Sequence, residues 1–286
     1  MTTTRRSNFA ATLRTTVLLA SLTGLFVVIG ALIGGPDTAL VFLVMAALLN
    51  LGAYWFSDRI ALAMARAKPV SESEAPKLYE IVRDLTTRAG LPMPRIYVIP
   101  QDQPNAFATG RNPKNSAVAV TRGIVKLLSE DELRGVLAHE LAHIRNHDIL
   151  ITSVASTIGG AITYLGYMLL WFGGDDESPL SLVASLALVL LAPIAATIIQ
   201  LAISRQREFS ADATGAEISG NPESLASALL RLEEGAKAIP MQVNQASEPL
   251  YIVKPFSGGG MARLFSTHPP IEERVRRLRQ MRPALV

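Results

Sequence analysis

Residues 129–148 have the sequence SEDELRGVLAHELAHIRNHD, which joins a helix start to a metal-binding pattern. Ser129, followed three residues later by Glu132, predicts a capped helix N-terminus. Inside this helix, His139-Glu140-Leu141-Ala142-His143 places two imidazoles on one face, because each residue turns the helix by about 100°. Two such imidazoles can hold one zinc ion, and Glu140 can act as general base toward the water that zinc activates. The pattern therefore predicts a zinc metalloprotease.

A catalytic zinc site needs a third protein ligand, and the sequence offers two kinds of candidate. His147 follows on the same helix, but on a straight helix it lies about 80° around and about 12 Å along from His139. We therefore reject it as a ligand and expect it beside the site or at the membrane interface. Glu208 and Asp212 lie one turn apart on another predicted helix, where spacing alone favours a solvated acidic pair.

The composition of the 286-residue chain indicates a membrane protein. Hydrophobic residues make up 49% of the chain and charged residues 18%, which is too apolar for an ordinary soluble domain. The absence of cysteine excludes disulfides, cysteine nucleophiles and thiolate metal sites. The net charge of +3 is not gathered into a basic stripe with interleaved aromatic residues, so no nucleic-acid partner is expected.

Four uncharged apolar segments are long enough to cross a bilayer, which takes about 20 residues. They are residues 15–34, 39–56, 149–172 and 180–203. They pair into two hairpins whose turns lack Lys and Arg, while basic residues gather at the opposite ends. The positive-inside rule therefore places the polar regions in the cytoplasm. A cleaved signal peptide is the alternative for the first segment, but its apolar run is too long and no small-x-small cleavage site follows.

These segments predict an α-helical integral membrane protein with about four transmembrane helices. Its catalytic domain is expected to be zincin-like and mainly α (α+β), with a small β-sheet. The lipid bilayer is therefore an expected partner. The predicted regions are an N-terminal transmembrane hairpin (1–56), a cytoplasmic metalloprotease region with the His-Glu-x-x-His helix (57–148), a second transmembrane hairpin (149–203) and a cytoplasmic region that completes the zinc site (204–286).

Periodicity and turn residues predict the elements of the two polar regions. Three strand candidates predict a small antiparallel sheet: residues 95–99, 105–109 and 117–121. The predicted helices, besides the one that starts at Ser129, are residues 74–89, 204–218, 221–238 and 269–281. Residues 239–261 are rich in Pro and Gly and predict a loop; whether it gates the site is left open by the sequence.

Three separated segments share their residues and spacing with a known family. They are His139-Glu140-x-x-His143-x-x-x-x-Asp148, Ser204-Arg205-x-x-Glu208-Phe209-x-Ala211-Asp212 and Thr267-His268-Pro269-Pro270-x-x-x-Arg274. With these motifs the chain resembles, over nearly its whole length, the HtpX family of integral-membrane zinc metalloproteases, which is related to the CAAX prenyl protease. The resemblance implies one Zn²⁺ per chain, Glu208 as third zinc ligand and Asp212 as the hydrogen-bond partner of a zinc-bound His.

The same resemblance implies a multi-pass protein of the bacterial inner (cytoplasmic) membrane with its active site facing the cytoplasm. It also implies a stress-response and quality-control role, with misfolded or damaged membrane proteins and unfolded polypeptides as substrates. A non-catalytic zinc scaffold is one rival function, but a structural site needs no base such as Glu140. A prenyl-protein protease is another, but four spans are few to enclose a large lipid chamber.

Two further segments carry roles that the resemblance implies. Asn105, Ala106, Phe107, Ala108 and Thr109 resemble an edge strand on which an extended substrate can lie, although a plain structural strand is the alternative. His268 resembles a histidine that stabilises the developing oxyanion, with a turn or capping role before the last helix as the alternative. Arg274 is assigned no role, because the sequence leaves open whether it supports the same surface as His268 or faces solvent.

Overall fold

The structure, a computed structural model, describes residues 2–155, 205–238 and 269–281. The strands are β1 (Lys68–Pro69), β2 (Arg95–Ile99), β3 (Ala106–Asn112) and β4 (Asn115–Thr121). The helices are α1 (Thr2–Met64), α2 (Pro76–Ala89), α3 (Arg122–Leu127), α4 (Glu130–Arg145), α5 (from 149, described to 155), α6 (Arg205–Ser219), α7 (Pro222–Ala238) and α8 (Ile271–Gln280).

The helix α1 folds back on itself near its middle. Asn50 Nδ2 donates hydrogen bonds to the Leu19 carbonyl over 3.2 Å and to Thr23 Oγ1 over 2.8 Å. A straight helix would hold Leu19 and Asn50 about 46 Å apart, because each residue adds about 1.5 Å. The reversal lies at Gly35, whose φ of +70° is open to glycine without a steric penalty. The reversal lies between the apolar segments 15–34 and 39–56, as the first predicted hairpin requires.

The second arm of this hairpin is a candidate membrane span. Residues 35–64 form a 30-residue stretch that is long and apolar enough to cross a bilayer, and it is the one such helix among the residues that the structure describes. Large apolar side chains along it are exposed, including Leu40, Val41 and Leu48. The predicted spans at 149–172 and 180–203 lie outside the described residues, except for α5, so the count of four spans stays a prediction.

The sheet is mixed, with the strand order β1-β2-β4-β3. β3 and β4 form the predicted hairpin, but β2 pairs with β4 in parallel. The prediction of a purely antiparallel sheet is therefore wrong. Alternation along a strand shows which of its faces is buried but not which strand lies beside it. The loop after β2 leads past the position of β4 to the far edge of the sheet, where β3 lies. Sequence periodicity also missed β1 and α3, which are too short to show a period.

The two faces of the sheet pack against different parts of the chain, as strand alternation requires. Ile96, Val118 and Val120 face the main core, which α2, α4, α6, α7 and α8 complete. Phe107 and Ala119 face the opposite way and pack against the end of α1 at Ala61 and Leu62. The sheet is thus fixed between the helical core and the end of the candidate span.

The central helix α4 forms the predicted capping box at its start. Ser129 Oγ accepts from Glu132 N, and Ser129 N donates to Glu132 Oε2. Two glycines let neighbouring helices reach its backbone. A Cβ on Gly135 would lie 2.6 Å from Leu225 N of α7, and a Cβ on Gly215 of α6 would lie 2.9 Å from His139 N and Cα. Both separations are below van der Waals contact, so these crossings require glycine.

Replacing Gly215 by alanine should force α6 away from α4. We expect Gly215→Ala to lower the free energy of unfolding by about 1–3 kcal/mol, the usual cost of overpacking, and to weaken metal binding. Thermal unfolding in detergent and metal titration measure the two effects. Gly52→Ala is the matched control, because nothing lies within 4 Å of a Cβ at Gly52. Equal stability and metal affinity in Gly215→Ala and wild type would contradict this account of the crossing.

Candidate metal centre

His139 and His143 project from one face of α4 toward a common point. Their Nε2 atoms lie 3.2 Å apart, and their rings are nearly perpendicular, with centroids 4.8 Å apart. The opposite face of α4 is fully buried through Leu137, Leu141 and Ile144. Because this apolar face sets the rotation of the helix, both imidazoles are directed to the same side.

Glu208 on α6 meets the two histidines, although it lies 65 residues beyond His143 in the chain. Its Oε2 lies 3.8 Å from His139 Nε2, and its Oε1 lies 3.6 Å from His143 Nε2. Tetrahedral zinc, with bonds of about 2.0–2.2 Å, holds its ligand atoms roughly 3.4 Å apart. The three donor atoms lie within 4.8 Å of one another, so this set fits a metal ion of that size.

Two carboxylates hold the outer ring nitrogens of the histidines. Asp212 Oδ1 lies 2.9 Å from His139 Nδ1, and Asp148 Oδ2 lies 3.5 Å from His143 Nδ1. A carboxylate at Nδ1 favours the proton there, which leaves Nε2 with a lone pair for the metal. The position of Asp212 agrees with the role that the resemblance implied. For Asp148 the sequence motif implied no role. Its contact with His143 depends on how the chain turns after α4.

His147 follows the C-cap of α4, Asn146, and turns Asp148 back toward the site. It has a φ of +60°, in the left-handed region, and Asp148 N donates to the His143 carbonyl over 2.9 Å. This conformation is uncommon for a residue with a Cβ. His147 is not part of the His139–His143–Glu208 group, as its helical position predicted.

Arg274 is the main site residue that sequence reasoning left without a role. It lies on α8 with 0% of its surface exposed. Its Nε and Nη2 donate to the two oxygens of Asp212 over 2.9 and 2.7 Å, and its Nη1 lies 4.0 Å from Glu208 Oε2. The only sequence signal was its place in the third motif, since nothing local distinguishes it from the exposed arginines around it.

Arg274 also keeps Asp212 ionised. Burial by itself would raise the pKa of Asp212, but the nearby Arg274 and the hydrogen bond from His139 outweigh burial and lower it to about 2. Asp212 therefore carries its charge at neutral pH. The ion pair is bidentate, which fixes orientation as well as charge.

Glu140 lies beside the metal group and is also buried. Its Oε2 accepts a hydrogen bond from Ala108 N over 2.7 Å. Burial raises its pKa; His139, His143 and the Ala108 N–H oppose this shift, and Glu208 adds to it. A carboxyl group with a raised pKa is suited to accept and return a proton near neutral pH.

The predicted substrate strand is placed next to Glu140. The sheet order puts β3, which begins at Ala106, at an edge of the sheet. Asn105 precedes it and accepts from Thr121 N through its carbonyl. All five predicted residues, 105–109, are buried, so their role toward substrate stays a prediction. His268 lies outside the described residues, and its role also stays a prediction.

The profile of peptidase family M48 matches residues 72–282, which include every metal-centre residue described above. The chain belongs to peptidase family M48. It is 55% identical over 276 residues to a Protease HtpX homolog of Pelotomaculum thermopropionicum, covering 94% of this chain and 98% of that protein. It is 53% identical over 277 residues to a Protease HtpX homolog of Syntrophobacter fumaroxidans, with the same coverage. The HtpX resemblance and the prediction of a metallopeptidase are confirmed.

A solved structure supports the fold of this M48 peptidase. The crystal structure of S. mikatae Ste24p matches with a TM-score of 0.50 at 20% sequence identity. The match covers 96% of this chain and 66% of that chain. At this identity the likeness concerns the fold alone.

Removing Arg274 should disturb the M48 metal centre from outside the ligand set. Arg274→Gln leaves Asp212 buried without its cation, so we expect a loss of about 3–5 kcal/mol in stability and a drop of roughly 10–100-fold in metal affinity. Chelator competition measures the affinity. Arg277→Gln is the matched control, because Arg277 lies one turn later on α8, is half exposed and stacks on Phe209. Unchanged metal affinity in Arg274→Gln would contradict the positioning role.

Metal binding should depend on pH through His143. Burial lowers the pKa of His143, but Asp148, Glu208 and Glu140 outweigh it and raise the pKa to about 9. The metal binds only the neutral imidazole, so binding below this pKa must release a proton. We expect apparent affinity to rise about tenfold per pH unit from roughly pH 7 and to level off above the pKa. Calorimetry in buffers of different ionisation enthalpy counts the released protons.

Asp148→Asn tests the cause of this pH dependence. Its amide no longer favours the imidazolium, so the pKa of His143 should fall and the affinity should level off at a lower pH. Affinity that is constant between about pH 7 and the pKa in wild type would show that His143 is already neutral there.

Proposed function

We propose that this metallopeptidase is a zinc-dependent endopeptidase in which His139, His143 and Glu208 hold the ion. The supporting observation is that three donor groups from two helices meet within 4.8 Å, directly beside the buried carboxylate of Glu140. Two imidazoles and one carboxylate are a donor set that suits zinc and leaves a position for water or substrate. A structural zinc site would be closed by a fourth protein ligand.

Zinc, when bound, acts as a Lewis acid on the scissile carbonyl and makes water a stronger acid. The chain supplies the proton transfer. Glu140 takes the proton from the attacking water and passes it to the leaving amine. Its raised pKa favours the protonated form that must persist between these two steps. Asp212 and Asp148 hold the imidazoles of His139 and His143 in one tautomer throughout.

We also propose a multi-pass protein of the cell (inner) membrane, divided into the four regions that the apolar segments predict. The folded-back α1, with its exposed apolar second arm, supports the N-terminal hairpin. The positive-inside rule supports a cytoplasmic active site. Misfolded or damaged membrane proteins and unfolded polypeptides are the proposed substrates, since only an extended chain can pair with the edge of β3 beside Glu140.

Two substitutions separate catalysis from metal binding. Glu140→Gln should lower kcat on an unfolded test protein by about 10²–10⁴-fold while metal content stays the same. Glu208→Ala should lose both activity and metal. Proteolysis in detergent, with and without a chelator, and metal analysis of the same samples measure these outcomes.

Glu130→Gln serves as the matched control on the same helix. Glu130 lies in the first turn of α4 with about half its side chain exposed, and it pairs with Lys77. The Glu130→Gln variant should cleave the test protein at the wild-type rate. Cleavage by Glu140→Gln at the wild-type rate would exclude the general-base role, and full metal content in Glu208→Ala would exclude the ligand set.

A further inference from the structure

We infer that the preferred substrates are membrane-anchored polypeptides that are cut within a few residues of the point where they leave the bilayer. This inference rests on the proposed function, namely a protease anchored by α1 and the following hairpin. It adds the distance between the metal centre and the bilayer surface. Two segments of the chain, β3 and α5, lead from the metal centre to the membrane-proximal part of α1 within a few residues.

The first path follows β3 away from Glu140. Ala108 donates to Glu140, and three residues later the guanidinium of Arg111 lies 4.5 Å from the ring centre of Trp55. Trp55 is half exposed near the end of the apolar stretch, just before Asp58 and Arg59, the first charges after the hairpin turn. A tryptophan at this position marks the headgroup level of a bilayer. Three strand residues span about 10 Å, so the path from Glu140 to this level consists of that length of strand and one arginine side chain.

The second path leaves the site through Asp148. Asp148 contacts His143, and the next residue begins α5. Ile151, Val154 and Ala155 of α5 pack against Ala53 of α1, two residues before Trp55. These residues lie three to seven positions after Asp148, which is a rise of about 5–10 Å along a helix. The two paths start at different residues of the site and end at the same level of α1.

Direct contacts tie the two paths together. Ser153 Oγ on α5 lies 2.8 Å from Thr109 Oγ1 on β3 and accepts a hydrogen bond from Gly110 N. The end of α1 is fixed to the sheet by Ala61 and Leu62, which are buried against Phe107 and Ala119, and by an ion pair between Asp58 and Arg95. The height of the metal centre above the membrane is therefore set by buried packing, not by a hinge.

The chemistry at this level suits lipid headgroups. Arg111 stacks on Trp55, and Arg59 lies over the ring of Phe56 at 5.6 Å. Both arginines present cationic donors beside aromatic rings that tolerate water on one side and acyl chains on the other. Anionic headgroups would hold this end of the protein at the bilayer surface.

This height selects substrates by distance. An extended chain gains about 3.3 Å per residue, so it covers the gap with roughly three to five residues after it leaves the bilayer. A segment tethered in the same membrane at that height is present at a high effective concentration. A segment held well above the surface gains no such advantage.

A series of tethered substrates tests the distance. Each carries one transmembrane helix, a spacer of rigid helical repeats that continues it, and the same unfolded segment. Spacers of 0, 5 and 25 residues raise the segment by about 0, 8 and 38 Å. Full-length metal-loaded enzyme and substrate are reconstituted in the same vesicles, cleavage rates are measured, and cut sites are mapped by mass spectrometry. The unfolded segment without a tether is the control for the proteolytic activity itself.

We expect similar rates for the two short spacers and at least a tenfold lower rate for the long one. In the substrate without a spacer, the cuts should cluster roughly three to five residues from the end of the membrane helix. Equal rates for all spacers would overturn the inference that cleavage depends on distance from the bilayer. If the untethered segment is also cleaved, and Glu140 is needed for that cleavage, the proposed protease function still stands. Failure to cleave even the untethered segment would remove the proposed function, and the inference with it.

Discussion

The close approach of α6 to α4 at Gly215 is the contact on which the rest of the metal centre depends. At this crossing a Cβ would meet the backbone of His139 at 2.9 Å, so the helices touch main chain to main chain. This closeness lets Glu208 reach both histidines and lets Asp212 reach His139 Nδ1. Longer separation would leave two acidic side chains buried without their partners, which is unfavourable.

Charge balance explains why the C-terminal helix belongs to the site. The centre buries Glu140, Glu208, Asp212 and Asp148 close together, and the buried guanidinium of Arg274 lies among them. A buried ion pair is weak evidence for stability, because desolvation offsets the attraction. Its effect here is positional: Arg274 fixes Asp212, and Asp212 fixes the tautomer of His139.

The sheet and α1 locate this centre relative to the proposed membrane. One face of the sheet packs on the helical core and the other on the end of α1, so metal centre and candidate span form one packed unit. The bulk of the contacts that join them are apolar and buried. The proposed function at a membrane surface thus rests on the same packing that builds the fold.

The sequence by itself determined the local features: the capped α4, the histidines one turn apart on it, the turn at Gly35 and the boundaries of β2. These depend on neighbours within a few residues, which periodicity and capping patterns record. Glu208 and Asp212 needed the family resemblance, because their spacing alone fits a solvated face. Only the tertiary structure decided the parallel pairing of β2 with β4, the partner of Asp148 and the burial of Arg274. The strand pairing and the contact of Arg274 with Asp212 join residues far apart in the chain, and Asp148 meets His143 through the left-handed turn at His147. A single sequence carries no periodic signal for any of them.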